Sequence, residues 1–333
     1  MMQQARSLCA QALSDLALAA DDFVALDAQH WERYEHLHHA ALSALHGICA
    51  AIVACEDAGC TRDEIVDVLD RVREIHARSP FVARLQRWPR GYPGDFETVE
   101  SICSGENTAP VATLERHCEA YSLNFPIAQQ HRNKVWHQAR QIADTVLQNG
   151  RARILALACG GCPDVRKCLA LLRRSDAELY LNDADADALA FAARQLAPIA
   201  DRCTFLPGNA LKIARRLRGG PTFDLILAGG LFDYLPDRHA SYLLDQAYAQ
   251  LAPGGVLFFT NIAAGNPWRP LIEYVGDWFL LERSAAELRA LTDAAGIPGE
   301  GVSIGRDETG LAFLIEVTKA ATAARNSASS PDV

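Results

Sequence analysis

The 333-residue chain lacks any run of about 18 uncharged apolar residues, so no membrane span is expected. Its N-terminus, Met1-Met2-Gln3-Gln4-Ala5-Arg6, reaches Asp15, Asp21 and Asp22 without an apolar h-region, so no secretory leader is expected. A basic excess is also missing. The formal charge is −9, and phosphate backbones need a surface rich in Lys and Arg, so nucleic acid is not an expected partner. A dense cysteine framework is absent too. The ten cysteines are scattered, several in apolar helical text such as Cys49 and Cys55, unlike a disulfide-stapled secreted domain. The expectation is a reduced, cytoplasmic protein with buried thiols. What is present is ordinary globular text: half the residues are hydrophobic and 22% are charged. The length allows about two domains.

The two halves differ. Residues 1–149 read as helix almost throughout, with no strand text. Alanine and leucine recur at three- and four-residue spacing over Leu8–Ala25 and Leu37–Val53. Thr61-Arg62-Asp63-Glu64 reads as an N-cap with a capping-box acid, opening a helix through about Ala77. A further helix is expected over Pro126–Gln148. The interruption Arg90-Gly91-Tyr92-Pro93-Gly94-Asp95 centres on Pro-Gly, which suits a type II turn. It presents Arg90, Tyr92 and Asp95 together.

From residue 150 to 319 the text alternates. Ile154–Ala158, Leu179–Leu181, Leu225–Ala228 and Val256–Phe259 read as buried parallel strands. Helical stretches such as Asp185–Leu196 and Arg238–Leu251 lie between them. Val302–Arg306 and Ala312–Val317 complete the set. The pattern predicts an α/β doubly wound, Rossmann-like sheet. Residues 320–333 have nothing apolar to pack and read as a disordered tail.

The first α/β strand runs into Ala158-Cys159-Gly160-Gly161-Cys162-Pro163, small residues that allow a sharp turn and close ligand approach. The dinucleotide fingerprint GxGxxG is missing, which disfavours an NAD oxidoreductase. The second strand ends at Asp183, roughly 20 residues on, where an acid can accept from both ribose hydroxyls; it could equally cap the following helix. The third ends Pro207-Gly208-Asn209-Ala210, where an Asn amide could pair with an adenine edge or simply make a turn.

These pieces, followed by Phe223-Asp224-Leu225-Ile226-Leu227-Ala228-Gly229-Gly230 and Leu251-Ala252-Pro253-Gly254-Gly255-Val256-Leu257-Phe258, resemble the class I S-adenosylmethionine-dependent methyltransferases. The resemblance spans residues 151–319. It implies a seven-stranded sheet with an antiparallel last hairpin, a helical cap over residues 1–149, and S-adenosyl-L-methionine as cofactor. By position it puts Ala158, Cys159 and Gly160 beside the methionine part and Asp183 at the ribose. It puts Asn209 and Ala210 at the adenine, and Gly229 and Gly230 beside the reactive methyl. The sequence departs from the pattern at Ala156, Cys162 and Asn209.

Arg-Gly-Tyr-Pro-Gly-Asp at 90–95, Gly-Leu-Phe-Asp-Tyr-Leu at 230–235 and the stretch 266–283 narrow the match. They resemble the extracellular-factor 3-hydroxypalmitic acid methyl ester biosynthesis methyltransferases, as does Gln130-His131-Arg132-Asn133-Lys134. The resemblance implies transfer of a methyl group to a small-molecule acceptor, with a 3-hydroxy fatty acid carboxylate first. An amino acid or a specialised metabolite, methylated at N, O or C, comes second. A carboxylate needs no general base; amine, hydroxyl or carbon acceptors lose a proton.

Nine of the ten histidines precede residue 150, so orienting and basic groups are sought there. Tyr92, His131 and Tyr234 are the catalytic candidates. Arg90, Asp95, Arg132 and Asp233 are the acceptor-binding candidates. Glu32-x-x-Glu35-His36-x-His38-His39 offers metal-ligand side chains, but a solvated polar stripe is the preferred reading and no metal is expected. Cys159-Gly160-Gly161-Cys162 has redox or zinc spacing, without a second pair, and the cofactor loop already accounts for it. A non-catalytic cofactor-binding regulatory partner is the alternative of another class, and a homodimer is an assembly left open.

Overall fold

The computed structural model describes residues 2–28 and 33–321. It forms two compact units. One comprises Met1–Asn133 with Ala264–Leu280, the other Lys134–Ala263 with Leu281–Val333. The division expected near residue 150 falls instead inside a single helix, α8 (Pro126–Gln148). The reason is its burial. Ile127 and Ala128 are buried near its start, whereas Ala139, Ile142 and Val146 join the core of the sheet unit. The expected tail lies mostly outside the described residues.

The helical unit contains α1 (Met2–Ala25), α2 (Tyr34–Asp57), α3 (Arg62–Val68), α4 (Asp70–His76), α5 (Pro80–Arg87), α6 (Phe96–Ser104) and α7 (Leu114–Asn124). The Thr61–Glu64 capping box forms as its spacing predicts. The helix it opens does not run unbroken to Ala77; it breaks at Leu69 and resumes as α4. By length and composition α2 could cross a membrane, with a mean hydropathy of 1.5 over 18 residues. Its buried residues, Leu37, Ala41, Leu45, Ile48, Cys49, Ile52 and Cys55, recur at helical spacing, and it packs against α1 and α7. One cysteine pair departs from the all-thiol expectation: Cys9 and Cys60 form a disulfide, Cα to Cα 5.4 Å.

Residues 264–280 are bound firmly into this unit. Arg269 pairs with Glu56, which also accepts from the Tyr274 hydroxyl at 2.7 Å. Asp277 takes Arg62 at 3.0 Å and Arg73 at 2.5 Å. Trp88 donates its indole N–H to the Asp277 carbonyl.

The sheet unit has strands β1 (Arg153–Leu157), β2 (Glu178–Asp183), β3 (Cys203–Pro207), β4 (Phe223–Ala228), β5 (Leu251–Ile262), β6 (Val302–Arg306) and β7 (Ala312–Thr318). Their order is β3-β2-β1-β4-β5-β7-β6. β1 to β5 pair in parallel, and β7 runs antiparallel to both β5 and β6. This is the seven-stranded Rossmann-like sheet of class I methyltransferases. Alternation along β1 explains its two-sided burial. Leu155 and Leu157 join the core under α12 (Ala210–Leu217), α13 (Asp237–Gln250) and α14 (Ala285–Ala294). Ile154 and Ala156 join the core under α8, α9 (Pro163–Lys167) and α11 (Ala186–Gln195). Each fully buried Leu, Ile or Phe contributes about 1.5–3 kcal/mol of transfer free energy.

Candidate functional site at the strand ends

The turn after β1 is made by backbone conformation. Ala158 (φ 50°), Gly160 (φ 54°) and Cys162 (φ 55°) all lie in the left-handed region. For the two residues with a Cβ this costs roughly 1–2 kcal/mol each, so the surroundings must hold them. They do. Cys159 N–H donates to the Asn182 carbonyl at 2.9 Å, and Gly160 N–H donates to Asp183 Oδ2 at 2.8 Å. Asp183 Oδ1 accepts from Asp185 N–H at 2.9 Å. Asp183 is therefore a tie between the β1 loop and β2. The helix cap is Asp185, which accepts from Asp187 and Ala188 N–H.

Asp183 is 9% exposed, and burial pushes its carboxyl above the ordinary range, against the backbone N–H bonds that oppose the shift. An ionised carboxylate offers about four lone-pair sites. The N–H groups of Gly160, Ala184 and Asp185 engage it here, which leaves room for a hydroxyl donor. At the next strand end Asn209 caps α12, its Oδ1 accepting from Leu211 and Lys212 N–H. That leaves a donor, the Nδ2 group, rather than both halves of an amide pair. Ala210 is buried in the sheet core, so only its backbone could face a ligand.

After β4, Gly230 (φ 87°) donates its N–H to Thr260 Oγ1 at 3.0 Å. At Gly229 a Cβ would stand 2.3–2.4 Å from the amide of Gln138, whose side chain would have to move. Asp233 departs from its expected acceptor contact. It is 1% exposed, accepts Lys134 Nζ at 2.8 Å on Oδ2 and Ile262 N–H at 2.6 Å on Oδ1. Lys134 is itself only 3% exposed. A buried carboxylate so occupied braces α8, the post-β4 turn and the end of β5. Tyr234 closes that turn with its side chain 38% exposed.

In the helical unit several singled-out side chains also have structural tasks. Gly94 takes the positive φ (66°) expected of the Pro-Gly turn. Asp95 is not open to an acceptor: it is 1% exposed, caps α6 and accepts a two-pronged pair from Arg84. Arg90 lies over the Phe96 ring at 4.5 Å and donates to Glu97. Arg132 donates to the Ile102 and Leu123 carbonyls, both at 2.9 Å, and so binds α8 to the ends of α6 and α7. Tyr92 is 40% exposed.

His131 is different. It stacks on Trp278, centroids 5.1 Å apart, and lines an apolar cavity with Phe81, Leu85, Ile127 and Leu271. His76 also lines it. Its Nδ1 faces the Val72 carbonyl, an acceptor only, so Nδ1 carries the proton and Nε2 accepts from the Tyr121 hydroxyl. Burial drives its pKa down to about 4, so this wall of the cavity is uncharged at neutral pH. Farther along, His38 and His117 place their Nδ1 atoms 3.3 Å apart. Burial first, then His38 beside it, lowers His117 to about 4. Glu32 of the weighed metal cluster lies outside the described residues. Among the described residues no group of three or more His, Cys, Asp or Glu is placed to hold a metal ion.

Residues 155–257 match the methyltransferase domain family. That stretch runs from β1 through the start of β5, and so contains the methyltransferase-like strand ends described above. Among solved structures, a possible exported protein from Bordetella parapertussis is similar over 94% of this chain and 97% of its own. It is 16% identical with a TM-score of 0.55, a likeness of fold. The magnesium protoporphyrin IX methyltransferase of Synechocystis, with S-adenosylhomocysteine bound, covers 59% of this chain and 88% of its own, at 14% identity and a TM-score of 0.44. Human N-acetylserotonin methyltransferase in complex with S-adenosylmethionine covers 68% and 66%, at 17% and 0.42. No curated protein matches the chain.

Sequence reasoning missed four residues around the methyltransferase-like strand ends. Asn182, fully buried, donates to the Leu206 and Gly208 carbonyls and joins β2 to the end of β3. Thr260 and Gln138 shape the post-β4 turn from β5 and α8. Lys134 supplies the buried cation. A polar residue inside an apolar strand was the available signal for Asn182 and Thr260; Lys134 was marked only as the end of the family-like segment 130–134, and nothing marked Gln138 among the other polar residues of α8.

Proposed function

We propose that this chain is an S-adenosylmethionine-dependent methyltransferase acting on a small-molecule acceptor. The observation that carries the reading is the tie from Gly160 N–H to Asp183 across the β1 and β2 ends, inside the stretch that matches the methyltransferase domain family. The residues present suit the cofactor. The Ala158–Gly160 backbone would pass its methionine part, the Asp183 carboxylate would accept from the ribose, and Asn209 Nδ2 would donate to a ring nitrogen of the adenine. When bound, S-adenosylmethionine supplies a methyl group already activated on a sulfonium.

The protein's tasks are then alignment and exclusion of water. Gly229 and Gly230 shape the turn beside the reacting end, held by Thr260 and the Lys134–Asp233 brace. Tyr234 is the hydroxyl donor we assign there. The helical unit is read as the acceptor-binding domain, with His131 and Tyr92 as its orienting groups. Its apolar cavity favours an acceptor with an apolar chain, and among the candidates a 3-hydroxy fatty acid fits best. Its carboxylate would be methylated to an ester without a general base. An amino-acid acceptor would want paired charges that this cavity does not offer.

The test is an acceptor screen with methyl-labelled S-adenosylmethionine, setting 3-hydroxy fatty acids against amines and amino acids. Label is expected in a fatty-acid methyl ester. Label in an amino acid would overturn the acceptor, and no transfer to any acceptor, with no cofactor bound, would overturn the enzyme reading.

A further inference from the structure

We propose that Cys159 and Cys162 are a reversible dithiol–disulfide modification site whose oxidised form weakens cofactor binding. The consequence rests on the cofactor reading above; the chemistry of the pair does not. Cys162 N–H donates to the Cys159 carbonyl at 2.9 Å, closing a four-residue turn. Such a turn holds its end Cα atoms within about 7 Å, and disulfides span about 4.4–6.8 Å. Both cysteines are free thiols, Cys159 half-buried and Cys162 fully buried. The two residues between them are glycines, so no side chain obstructs the approach. The Cys159 thiol donates to the Gly160 carbonyl at 3.8 Å, and its nearness, with burial, pushes the Cys162 thiol well above its usual range.

This division suits a sensing and a resolving cysteine. A hydroperoxide oxygen is attacked by the Cys159 thiolate, giving a sulfenic acid and releasing hydroxide. The Cys162 sulfur then attacks that sulfenic sulfur. The new S–S bond forms as the hydroxyl leaves with the Cys162 proton as water. Two electrons pass from the thiol pair to the peroxide, and a dithiol reductant reverses the step. The bond draws Cys159 toward the buried Cys162. It thereby distorts the turn through Ala158 and Gly160, both already at positive φ, and with it the tie to Asp183.

The experiment treats the full chain with hydrogen peroxide, maps disulfide-linked peptides, and measures S-adenosylmethionine binding by calorimetry before and after. Peptide mapping separates this bond from Cys9–Cys60. The expected result is a Cys159–Cys162 peptide, loss of two hydrogens, an affinity lower by about tenfold or more, and recovery with dithiothreitol. Cys162→Ala keeps the Cβ and is expected to bind equally before and after peroxide. No linked peptide overturns the site. A linked peptide with unchanged affinity overturns its consequence. Reduced protein that binds no S-adenosylmethionine refutes the cofactor reading and the consequence together, while the mapped peptide still reports the pair's chemistry.

Discussion

The sheet unit and the helical unit use polar residues in opposite ways. At the ends of β1 and β2 the candidate site is made of backbone: three positive φ angles, N–H groups and one acid that ties them. In the helical unit the charged residues are consumed by the fold. Asp95 caps a helix, Arg132 caps carbonyls, and Arg62, Arg73 and Arg269 hold residues 264–280. What remains there for a ligand is an apolar cavity. A charged side chain on a packed helix is therefore weak evidence for a ligand contact.

The largest expected effect breaks the brace within the sheet unit. Lys134→Met leaves Asp233 buried without its cation and should cost about 3–5 kcal/mol in equilibrium denaturation. A loss below 1 kcal/mol would mean that the pair is not the clamp described. Next, Arg132→Ala should cost about 1–3 kcal/mol by orphaning two carbonyls, with cofactor affinity unchanged. Affinity falling while stability holds would restore Arg132 to ligand binding and blur the contrast between the units.

The smallest effect is the pH dependence, where the units should differ in sign. Burial raises Asp164 in the sheet unit from 3.8 to about 6. Its contribution is present below pH 4 and lost as pH rises through 6. Asp164→Asn should therefore gain about 1–3 kcal/mol on wild type above pH 6 and nothing below pH 4. His76 in the helical unit, lowered from 6.5 to about 4, does the reverse. Its neutral form contributes stability above pH 6.5, lost as pH falls through 4. Denaturation of both proteins from pH 4 to 7 checks this, and parallel curves would remove Asp164 from the account.

Much of the fold was legible because its signals are local. Strands buried on both faces read as continuous apolar runs, and β6 fell on Val302–Arg306 as read. The Thr61 box and the Pro-Gly turn carry their own chemistry. The unit boundary was not legible, because α8 is one unbroken helix that changes partners midway. The return of residues 264–280 to the helical unit was not legible either, since it depends on ion pairs with residues some 200 positions earlier. At the strand ends, Asp183 was singled out from its spacing, and it ties the β1 loop to β2. Asp233 was misassigned because sequence shows an acid after a strand but not the lysine 99 positions away that buries it.

The central claim is that the β1–β2 end is a nucleoside-cofactor site built on Asp183. Calorimetry of S-adenosylmethionine with wild type and Asp183→Ala tests it most directly. The account expects wild type to bind and the variant to bind about 5- to 150-fold more weakly, or 1–3 kcal/mol. Folded wild type that does not bind, or equal affinity in the two proteins, would contradict it.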